Sequence, residues 1–279
     1  MELRVYAEGI SFRKNSDLKP LLDLMNSYEV TYSYCLGKSA VFHDIEASLQ
    51  PRLKLTSFNH GSIDIRLITE VATAVAPVAP QLFGYAWQLY KSGFDLVSIA
   101  TRYFKREGKP AMINIENSPG VMINIINGEQ VSVNRDVYDT ASGNHKSFNK
   151  IASLIKNGLA EIISIGYKEN EVVGQIEFNR SNQDDFYLPK TDIFEAEPIE
   201  FECTIYRFNK KSLNGTLEFN DQNETLIRPF KISRDIINDC IEALKAPSAK
   251  VTAYRELEKN ALGESKIKKF HIDSISPIS

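Results

Sequence analysis

The least polar part of the chain lies between Glu70 and Phe104 and contains no charged residue before Lys91. Directly ahead of it, apolar and polar residues alternate over residues 63–69, which is typical of a strand that is buried on one face. An apolar segment of this length fills a core, contacts a partner or meets a membrane. Which of these it does is the main functional question that the sequence poses.

The apolar segment itself has the pattern of two helices. Pro80 suits the first turn of a helix, and apolar residues recur behind it at helical spacing. Gly93 is expected to end the first helix and Gly108 the second, which carries basic residues near its C-terminus. We therefore predict a helical hairpin over residues 80–108.

The chain before this segment has the pattern of short elements. Alternation over residues 3–7 predicts an opening strand, and apolar residues at helical spacing after Asp17 predict a short helix. Runs rich in β-branched and aromatic residues favour strands. The further strands predicted are residues 28–34, 40–49, 53–58 and 63–69.

The chain behind the hairpin predicts strands at residues 111–115, 121–126, 130–133 and 159–165 and a helix over residues 147–156. From Gly166 onward, short strands follow one another at a spacing of roughly ten residues, interrupted by one helix over residues 234–245. This spacing is typical of a small antiparallel barrel of the OB or SH3-like kind. The predicted fold class is α+β: a mixed or antiparallel sheet covered by helices in residues 1–166, then a small antiparallel β-barrel in residues 167–279.

Composition and charge exclude some classes of protein. Hydrophobic residues make up 43% and charged residues 25% of the chain, which is ordinary for a globular protein and excludes a disordered one. The net charge of −3 divides into +1 for residues 1–166 and −4 for residues 167–279, so neither part is a basic platform. An OB-like barrel can bind single strands through a basic groove, but the acidic balance of this one argues against a nucleic-acid partner.

The three cysteines, Cys35, Cys203 and Cys240, are scattered and have no CxxC spacing. This pattern argues against a disulfide framework and against a zinc site. The first residues have the pattern of a strand and not of a signal peptide. We therefore expect a cytoplasmic protein without a metal or another cofactor.

One segment ends like a phosphate-binding loop, with Gly37, Lys38 and Ser39 in sequence. Such a loop needs a second glycine five residues earlier so that its backbone N–H groups can surround a phosphate, and Tyr32 stands there. We reject a nucleotide site on this ground.

Two small clusters could carry chemistry. His43, Asp44 and Glu46 could supply metal ligands or an acid–base pair, although on a strand the two carboxylates would share a face without the imidazole. His60 lies in a predicted turn ahead of Asp64, and this pair could act as a base with its orienting group if a nucleophile came from elsewhere. The alternative function is therefore a hydrolase that uses His60 and Asp64, or a metal-dependent enzyme that uses Asp44 and Glu46. The simpler interpretation is a solvated strand face and a turn.

Charged clusters give two further candidates. A compact basic cluster is the nearest approach to a nucleic-acid site, and it consists of Arg102, Lys105, Arg106 and Lys109. Because these residues end a predicted helix, complementing the helix dipole is the simpler role for them. Two acidic stretches could bind a divalent cation or protect a sheet edge. They consist of Asp184 and Asp185, and of Glu195, Glu197, Glu200 and Glu202.

In the absence of a complete catalytic motif, the preferred function is a non-catalytic interaction or assembly protein that forms a homo-oligomer or binds a protein partner. The apolar segment has more large side chains than one small sheet face readily covers. Aromatic residues concentrate in interface cores, and those predicted to make the contact are Tyr85, Trp87, Tyr90 and Phe94. The competing interpretation is that all four belong to the core.

A membrane partner is not expected. Residues 71–90 are uncharged over the length that a transmembrane helix needs, but Pro77 and Pro80 would break the helix. Alanines and glutamines in the same stretch contribute little or unfavourable transfer energy. We expect a soluble protein, and the alternative is a membrane-acting effector that releases residues 71–106 on activation.

The order of these segments resembles a family of uncharacterised two-domain bacterial proteins. The residues that carry the resemblance are 61–67 ahead of the apolar helices, 113–115 and 121–126 around a turn, and 174–176 at the start of the barrel. The resemblance implies a two-domain plan and no catalytic residues. It also implies an accessory role in a bacterial defence or mobile-element system.

Overall fold

The computed structural model describes residues 2–8, 19–45, 51–59, 62–69, 79–117, 123–126, 130–169, 171–221 and 224–278. The chain divides into two compact units, of which the first ends at Pro189 and the second begins at Lys190. Helices, an antiparallel sheet and a small mixed sheet form the first unit, and a closed five-stranded barrel forms most of the second. The predicted α+β fold class with a barrel is confirmed.

The described part of the first unit contains eight strands, three helices and a 3₁₀ turn. The strands are β1 (Glu2–Glu8), β2 (Pro51–Asn59), β3 (Ser62–Thr69), β4 (Met112–Glu116), β5 (Ile123–Ile126), β6 (Gln130–Asn134), β7 (Ile162–Glu169) and β8 (Glu171–Phe178). The helices are α1 (Lys19–Phe42), α2 (Ala79–Glu107) and α3 (Arg135–Lys156), and the 3₁₀ turn is Gln183–Phe186.

The main sheet of this unit is antiparallel with the order β2-β3-β1-β7-β8. Buried and half-buried residues alternate along its central strands, as a sheet with one covered face requires. Val5 of β1 lies opposite Ile165 of β7, and both side chains are buried. The three helices pack on one another, and α3 also contacts β7 and β8. The hydrophobic core therefore lies within the helical layer and between it and the sheet.

Helix α1 replaces three elements that the sequence predicted separately. The β-branched and aromatic residues 28–34 are helical, and the segment 40–49, as far as the structure describes it, ends this helix and is not a strand. Tyr28, Thr31 and Tyr32 are buried among α2 and α3, so burial of large side chains outweighs their local preference for a strand. Gly37, Lys38 and Ser39 also lie inside this helix, whose backbone N–H groups are already used.

Helix α2 is one continuous helix of 29 residues and not a hairpin. Gly93 lies in its middle, where a Cβ atom would come within 2.7 Å of Thr140 Cγ2 and 3.4 Å of the Ala141 backbone nitrogen. The glycine therefore allows α3 to approach α2 closely, and it does not end the helix. Gly108, with a φ of 68°, does end it, as predicted.

Helix α3 begins twelve residues before the predicted start at Ser147. Asn134 caps it, since its side chain accepts a hydrogen bond of 2.7 Å from the backbone nitrogen of Asp136. The same asparagine ends β6, the central strand of a small sheet with the order β4-β6-β5. The short link between strand and helix fixes the position of the first turn of α3.

The boundary between the units lies later than the sequence predicted. Strand β7, which spans the predicted boundary at Gly166, pairs with β1 and with β8, which follows that boundary. They therefore belong to the sheet of the first unit, and residues 174–176 do not open the barrel. Composition alone did not reveal this, because a β-hairpin has the same local pattern in either unit.

The second unit consists of six strands and one helix in its described part. These are β9 (Lys190–Phe194), β10 (Ile199–Asn209), β11 (Asn214–Asp221), β12 (Glu224–Ile232), α4 (Ile237–Lys245), β13 (Ser248–Asn260) and β14 (Ser265–Ile278). The order β10-β11-β12-β14-β13 closes through pairing of β10 with β13, and β9 adds to the outer edge of β13.

The topology of this barrel selects one of the two predicted kinds. Strands β12 and β14 run parallel, α4 lies between β12 and β13 in the chain, and the other pairs are antiparallel. This is the Greek-key arrangement of the OB fold. Phe230 and Phe270 are fully buried in the barrel, and α4 adds Cys240 and Ala243 to the same core.

Candidate functional site

Helix α1 has two faces of different character. Its inner face carries fully buried residues, among them Leu24, Tyr28 and Leu36. Its outer side exposes four large apolar side chains: Leu22 (55%), Val30 (61%), Val41 (76%) and Phe42 (45%). The remaining exposed large apolar side chains of the described residues are spread over other elements of both units. The outer side of α1 is therefore the densest exposed apolar region in the described part of the chain.

The residues along the outer face recur at intervals of three and four, so they lie on one stripe of the helix. In order they are Asn26, Val30, Ser33, Gly37 and Val41, and none of them is charged. A Cβ atom at Gly37 would have no described atom within 4 Å. The middle of the stripe is therefore shallow and open, with larger side chains on both sides of it.

A cavity of about 600 Å³ lies beside this stripe and is lined by Ser33, Tyr34, Gly37, Lys38, Val41, Phe42 and Asp136. Phe42 closes one end of it by stacking on Tyr85 of α2 with a distance of 4.3 Å between ring centroids. The imidazole of His43 meets Phe42 edge-on at 5.0 Å. These three rings join the end of α1 to α2 and give the cavity an apolar end.

Charged groups at the start of α3 form the opposite wall. Lys38 Nζ donates a hydrogen bond of 2.7 Å to Asp139 and lies 3.4 Å from Asp136. Partial burial lowers the pKa of Lys38, but the hydrogen bond and charge of Asp139 outweigh it, so its pKa is raised overall. Burial, reinforced by Asp136, raises the pKa of Tyr85 to about 12. Tyr85 therefore stays protonated and donates its hydroxyl to Asp136 at 3.3 Å.

Two potential nucleophiles of α1, Cys35 and Ser39, are buried. The Cys35 thiol lies on the inner face of α1, and burial raises its pKa, so it is not a thiolate nucleophile. The Ser39 hydroxyl is buried and donates to the backbone oxygen of Leu82 at 2.6 Å. No three His, Cys, Asp or Glu side chains of the described residues come together in a way that could hold a metal ion.

The predicted cluster around His43 lies at a helix end and not on a strand. Asp44 adopts the left-handed conformation with a φ of 52°, and its N–H donates to Val41 O at 3.2 Å. Ile45 N–H donates to Ala40 O at 2.9 Å, which completes a Schellman motif. Asp44 therefore terminates α1, while Glu46 lies outside the described residues.

The second candidate catalytic pair, His60 and Asp64, lies only partly within the residues that the structure describes. Asp64 belongs to β3, where its backbone lies opposite Tyr6 of β1. His60 lies outside the described residues, as does the side chain of Asp64. The hydrolase alternative therefore stays a hypothesis from the sequence.

From Ala79 onward, the apolar segment lies in the core of the first unit. Fifteen of the 29 residues of α2 are buried, including Trp87, Tyr90 and Phe94. These three side chains point into the chain's own core and offer no surface to a partner, whereas Tyr85 is half-buried at the edge of the cavity. A contact surface on this unit would therefore include Tyr85 and not the other three. None of the helices in the described part of the chain has both the length and the apolar character needed to cross a membrane.

The structure brings the basic cluster and one acidic stretch together. Arg102 Nε donates a hydrogen bond of 2.6 Å to Asp185, and Lys105 Nζ donates one of 2.7 Å to the backbone oxygen of Asp184. Lys156 of α3 also pairs with Asp184 at 2.9 Å, and its hydrogen bond is the main reason that the pKa of Asp184 is lowered. The cations therefore hold the 3₁₀ turn against α2 and α3. Arg106 lies beside Tyr103 and Glu107, and Lys109 is exposed.

Replacing Asp185 by asparagine is expected to lower the free energy of unfolding by about 1–2 kcal/mol, because the buried carboxylate accepts charge-assisted hydrogen bonds. Besides Arg102, the Ser98 hydroxyl donates to it at 3.2 Å. Urea unfolding followed by tryptophan fluorescence measures the change. Asp184→Asn is the matched control, since its exposed ion pair should contribute less than about 0.5 kcal/mol. Equal effects of the two substitutions would contradict a special role for Asp185.

Comparison of the sequence with protein-family models and with curated proteins finds no match to this chain.

Proposed function

We propose that this protein is a non-catalytic assembly protein that self-associates through the outer face of α1. The observation that carries the proposal is the uncharged stripe from Asn26 to Val41 on α1, in which Val30 and Val41 are exposed by 61% and 76%. Removal of such side chains from water contributes about 25 cal/mol per Å² of buried apolar area. A second copy of the same stripe is the occupant to which the proposal commits.

The composition of the stripe suits a two-fold contact between identical helices. In such a contact each residue meets the same surface on the other copy, so charged residues at the centre would repel each other. The stripe from Asn26 to Val41 contains no charge. If two copies cross antiparallel near Ser33, Val30 of each copy meets the open space at Gly37 of the other, which is a knob against a hole.

The walls of the cavity would then form the rim of the contact. Phe42 and Tyr85 lie at one end as stacked aromatic rings, which are enriched in interface cores. Lys38 pairs with Asp136 and Asp139, so the lysine keeps its counter-charge and the three groups together carry a net charge of −1 at the rim. The resemblance implies an accessory role in a bacterial defence or mobile-element system, and self-association is compatible with such a role.

Sedimentation velocity at micromolar concentration tests the proposal. The wild-type protein is expected to sediment at twice the chain mass of 31.5 kDa. Val30→Glu and Val41→Glu place charges on an exposed stripe and should each give a folded monomer. The matched control is Met112→Glu on β4, which is 67% exposed in the same unit and should remain dimeric.

Cross-linking tests the geometry of the contact. Ser33→Cys should give a disulfide-linked dimer under oxidising conditions, because a disulfide requires Cα atoms within about 7 Å. Cysteine in place of Met112 should not cross-link. A wild-type protein that is monomeric, or a dimer that persists in both glutamate variants, would refute the proposal.

A further inference from the structure

The net charge of the barrel unit is smaller than the value of −4 calculated for residues 167–279, because the unit begins at Lys190. Residues 190–279 contain 14 Lys and Arg against 15 Asp and Glu, so this unit is nearly neutral. Acidic side chains on or next to β9, on β10 and on β13 are held by cations of the same unit. The ion pairs join Lys190 to Glu258, Lys250 to Glu200, Arg255 to Glu195, and Lys268 to Asp192 and Glu256. The remaining cations are therefore the ones available to a ligand.

Four of these available cations lie together at one end of the barrel: Arg207, Lys210, Lys211 and Lys231. Lys210 and Lys211 form the turn between β10 and β11, and Asn214 at the end of this turn lies opposite Lys231 of β12. Among the described residues none of the four has a carboxylate partner. All four are exposed, so together they form a positively charged surface, which we call the β10–β11 end.

An exposed aromatic ring stands beside this end. Tyr206 is the extra residue of a bulge in the pairing of β10 with β11, and it is 56% exposed. Its hydroxyl donates a hydrogen bond of 2.8 Å to Glu218 on the neighbouring strand. The bulge turns Tyr206 and Arg207 outward side by side, and the hydrogen bond restrains the ring. A restrained, exposed aromatic ring next to a cation is a platform for stacking.

The barrel is also open next to this face. Strands β12 and β14 pair only over Phe230–Ile232. The residues that precede this pairing in both strands line an opening of about 290 Å³. Its lining residues are Ile227, Arg228, Pro229, Glu258, Lys266, Ile267 and Lys268. Arg228 Nε is buried and has no hydrogen-bond partner among the described residues, and Lys266 has no carboxylate partner there. Lys266 thus adds a positive charge at the opening, whereas Arg228, three residues from Lys231 along β12, lies on the opposite, core-facing side of that strand and is paired with the buried Leu217.

We propose that the outer face of β10, β11 and β12 binds single-stranded nucleic acid. Lys210, Lys211 and Lys231 would contact phosphates, and one base would stack on Tyr206. Lys266 at the opening would contact the next phosphate along the strand.

The combination of groups favours a single strand over other anionic ligands. Cations that follow a groove together with an exposed aromatic ring are the usual means of binding single strands without sequence preference. A duplex keeps its bases stacked inside and presents no base to Tyr206. Acidic peptides would use the cations and gain little from the ring. The expectation from net charge that nucleic acid is not a partner thus gives way to the local distribution of charge.

Fluorescence anisotropy with a labelled oligodeoxythymidine of about 12 nucleotides, a length within the site size of one OB fold, tests the proposal. The full-length protein should bind it at low salt. Tyr206→Ala should weaken binding about 5- to 100-fold through loss of stacking, whereas Tyr206→Phe keeps the ring and should bind like the wild type. Lys231→Ala should make the slope of log affinity against log salt shallower by about 0.7, the value for one phosphate contact to a single strand.

Lys250→Ala is the matched control, because this exposed lysine of β13 is held by Glu200, near the opposite end of β10 from Tyr206. It should change neither the affinity nor the salt slope. The proposal is overturned if the oligonucleotide does not bind at low salt, if Tyr206→Ala and Lys250→Ala bind equally, or if a duplex of the same length binds at least as tightly. Circular dichroism confirms that each variant is folded, and the result is independent of self-association through α1.

Discussion

Replacing Gly215 by alanine is expected to lower the free energy of unfolding of the barrel unit by about 3 kcal/mol, at the upper end of the range for overpacking. Gly215 faces the barrel core on β11, directly opposite the Phe230 backbone in the β11–β12 pair. A Cβ atom there would come within 2.2 Å of the Phe230 ring and 2.4 Å of the Arg207 carbonyl oxygen. The ring could turn, but the carbonyl belongs to the backbone next to the bulge and cannot move without breaking strand pairing.

Urea unfolding followed by circular dichroism measures this effect, because both units contribute to that signal. The single tryptophan, Trp87, lies in the first unit, so tryptophan fluorescence reports on that unit alone. Gly215→Ala should shift the dichroism transition and leave the fluorescence transition in place. Thr216→Ala, on the neighbouring outward-facing position of the same strand, is the matched control and should change little. If Gly215→Ala and Thr216→Ala unfold at the same urea concentration by circular dichroism, the result would contradict the close packing at Gly215.

Phe94→Ala is expected to lower the free energy of unfolding of the first unit by about 3–5 kcal/mol, the usual cost of deleting a buried aromatic ring. Phe94 is 8% exposed. The centroid of its ring lies 4.6 Å from the ring centroid of Phe186 and 5.0 Å from that of Phe178. These contacts join α2 to β8 and to the 3₁₀ turn. The loss of the ring therefore weakens three elements at once.

The same variant separates the two interpretations of the apolar segment. If Phe94 belongs to the core, the tryptophan fluorescence transition moves to lower urea. If it instead contacts a partner, stability is kept and only association is lost. Phe94→Leu is the graded control. Because it changes the side-chain volume less, it should lower the free energy of unfolding of the first unit by less than about 1.5 kcal/mol.

The strands of the barrel were well predicted from their alternation. Strands β10 (Ile199–Asn209) and β12 (Glu224–Ile232) are two of the short strands that the sequence predicts after Gly166. Each has one face in the core and one in water, so the period of two is visible in the sequence. Strand β9 was missed, because four of its five residues are exposed and the pattern is lost.

The candidate surfaces were less predictable than the elements. Tyr85 was selected as a contact residue from the sequence, and it does lie at the edge of the cavity beside α1. Val30 and Val41 were not selected, because they lay in segments predicted as strands. The spacing of Asn26, Val30, Gly37 and Val41 on one helical stripe was the available signal, and it becomes visible only when residues 19–42 are one helix.

The sequence by itself determined the elements whose pattern repeats locally: the barrel strands, the helical nature of the apolar segment and the helix end at Gly108. Tertiary structure decided what depends on distant neighbours. Residues 28–34 are helical because their large side chains are buried between α2 and α3, and Gly93 continues a helix because α3 packs against it. Strand order, and with it the OB topology, follows from pairing between segments far apart in the chain. The fold also decides which charged side chains form ion pairs and which stay available to a ligand. Counting charged residues along the sequence does not give this information.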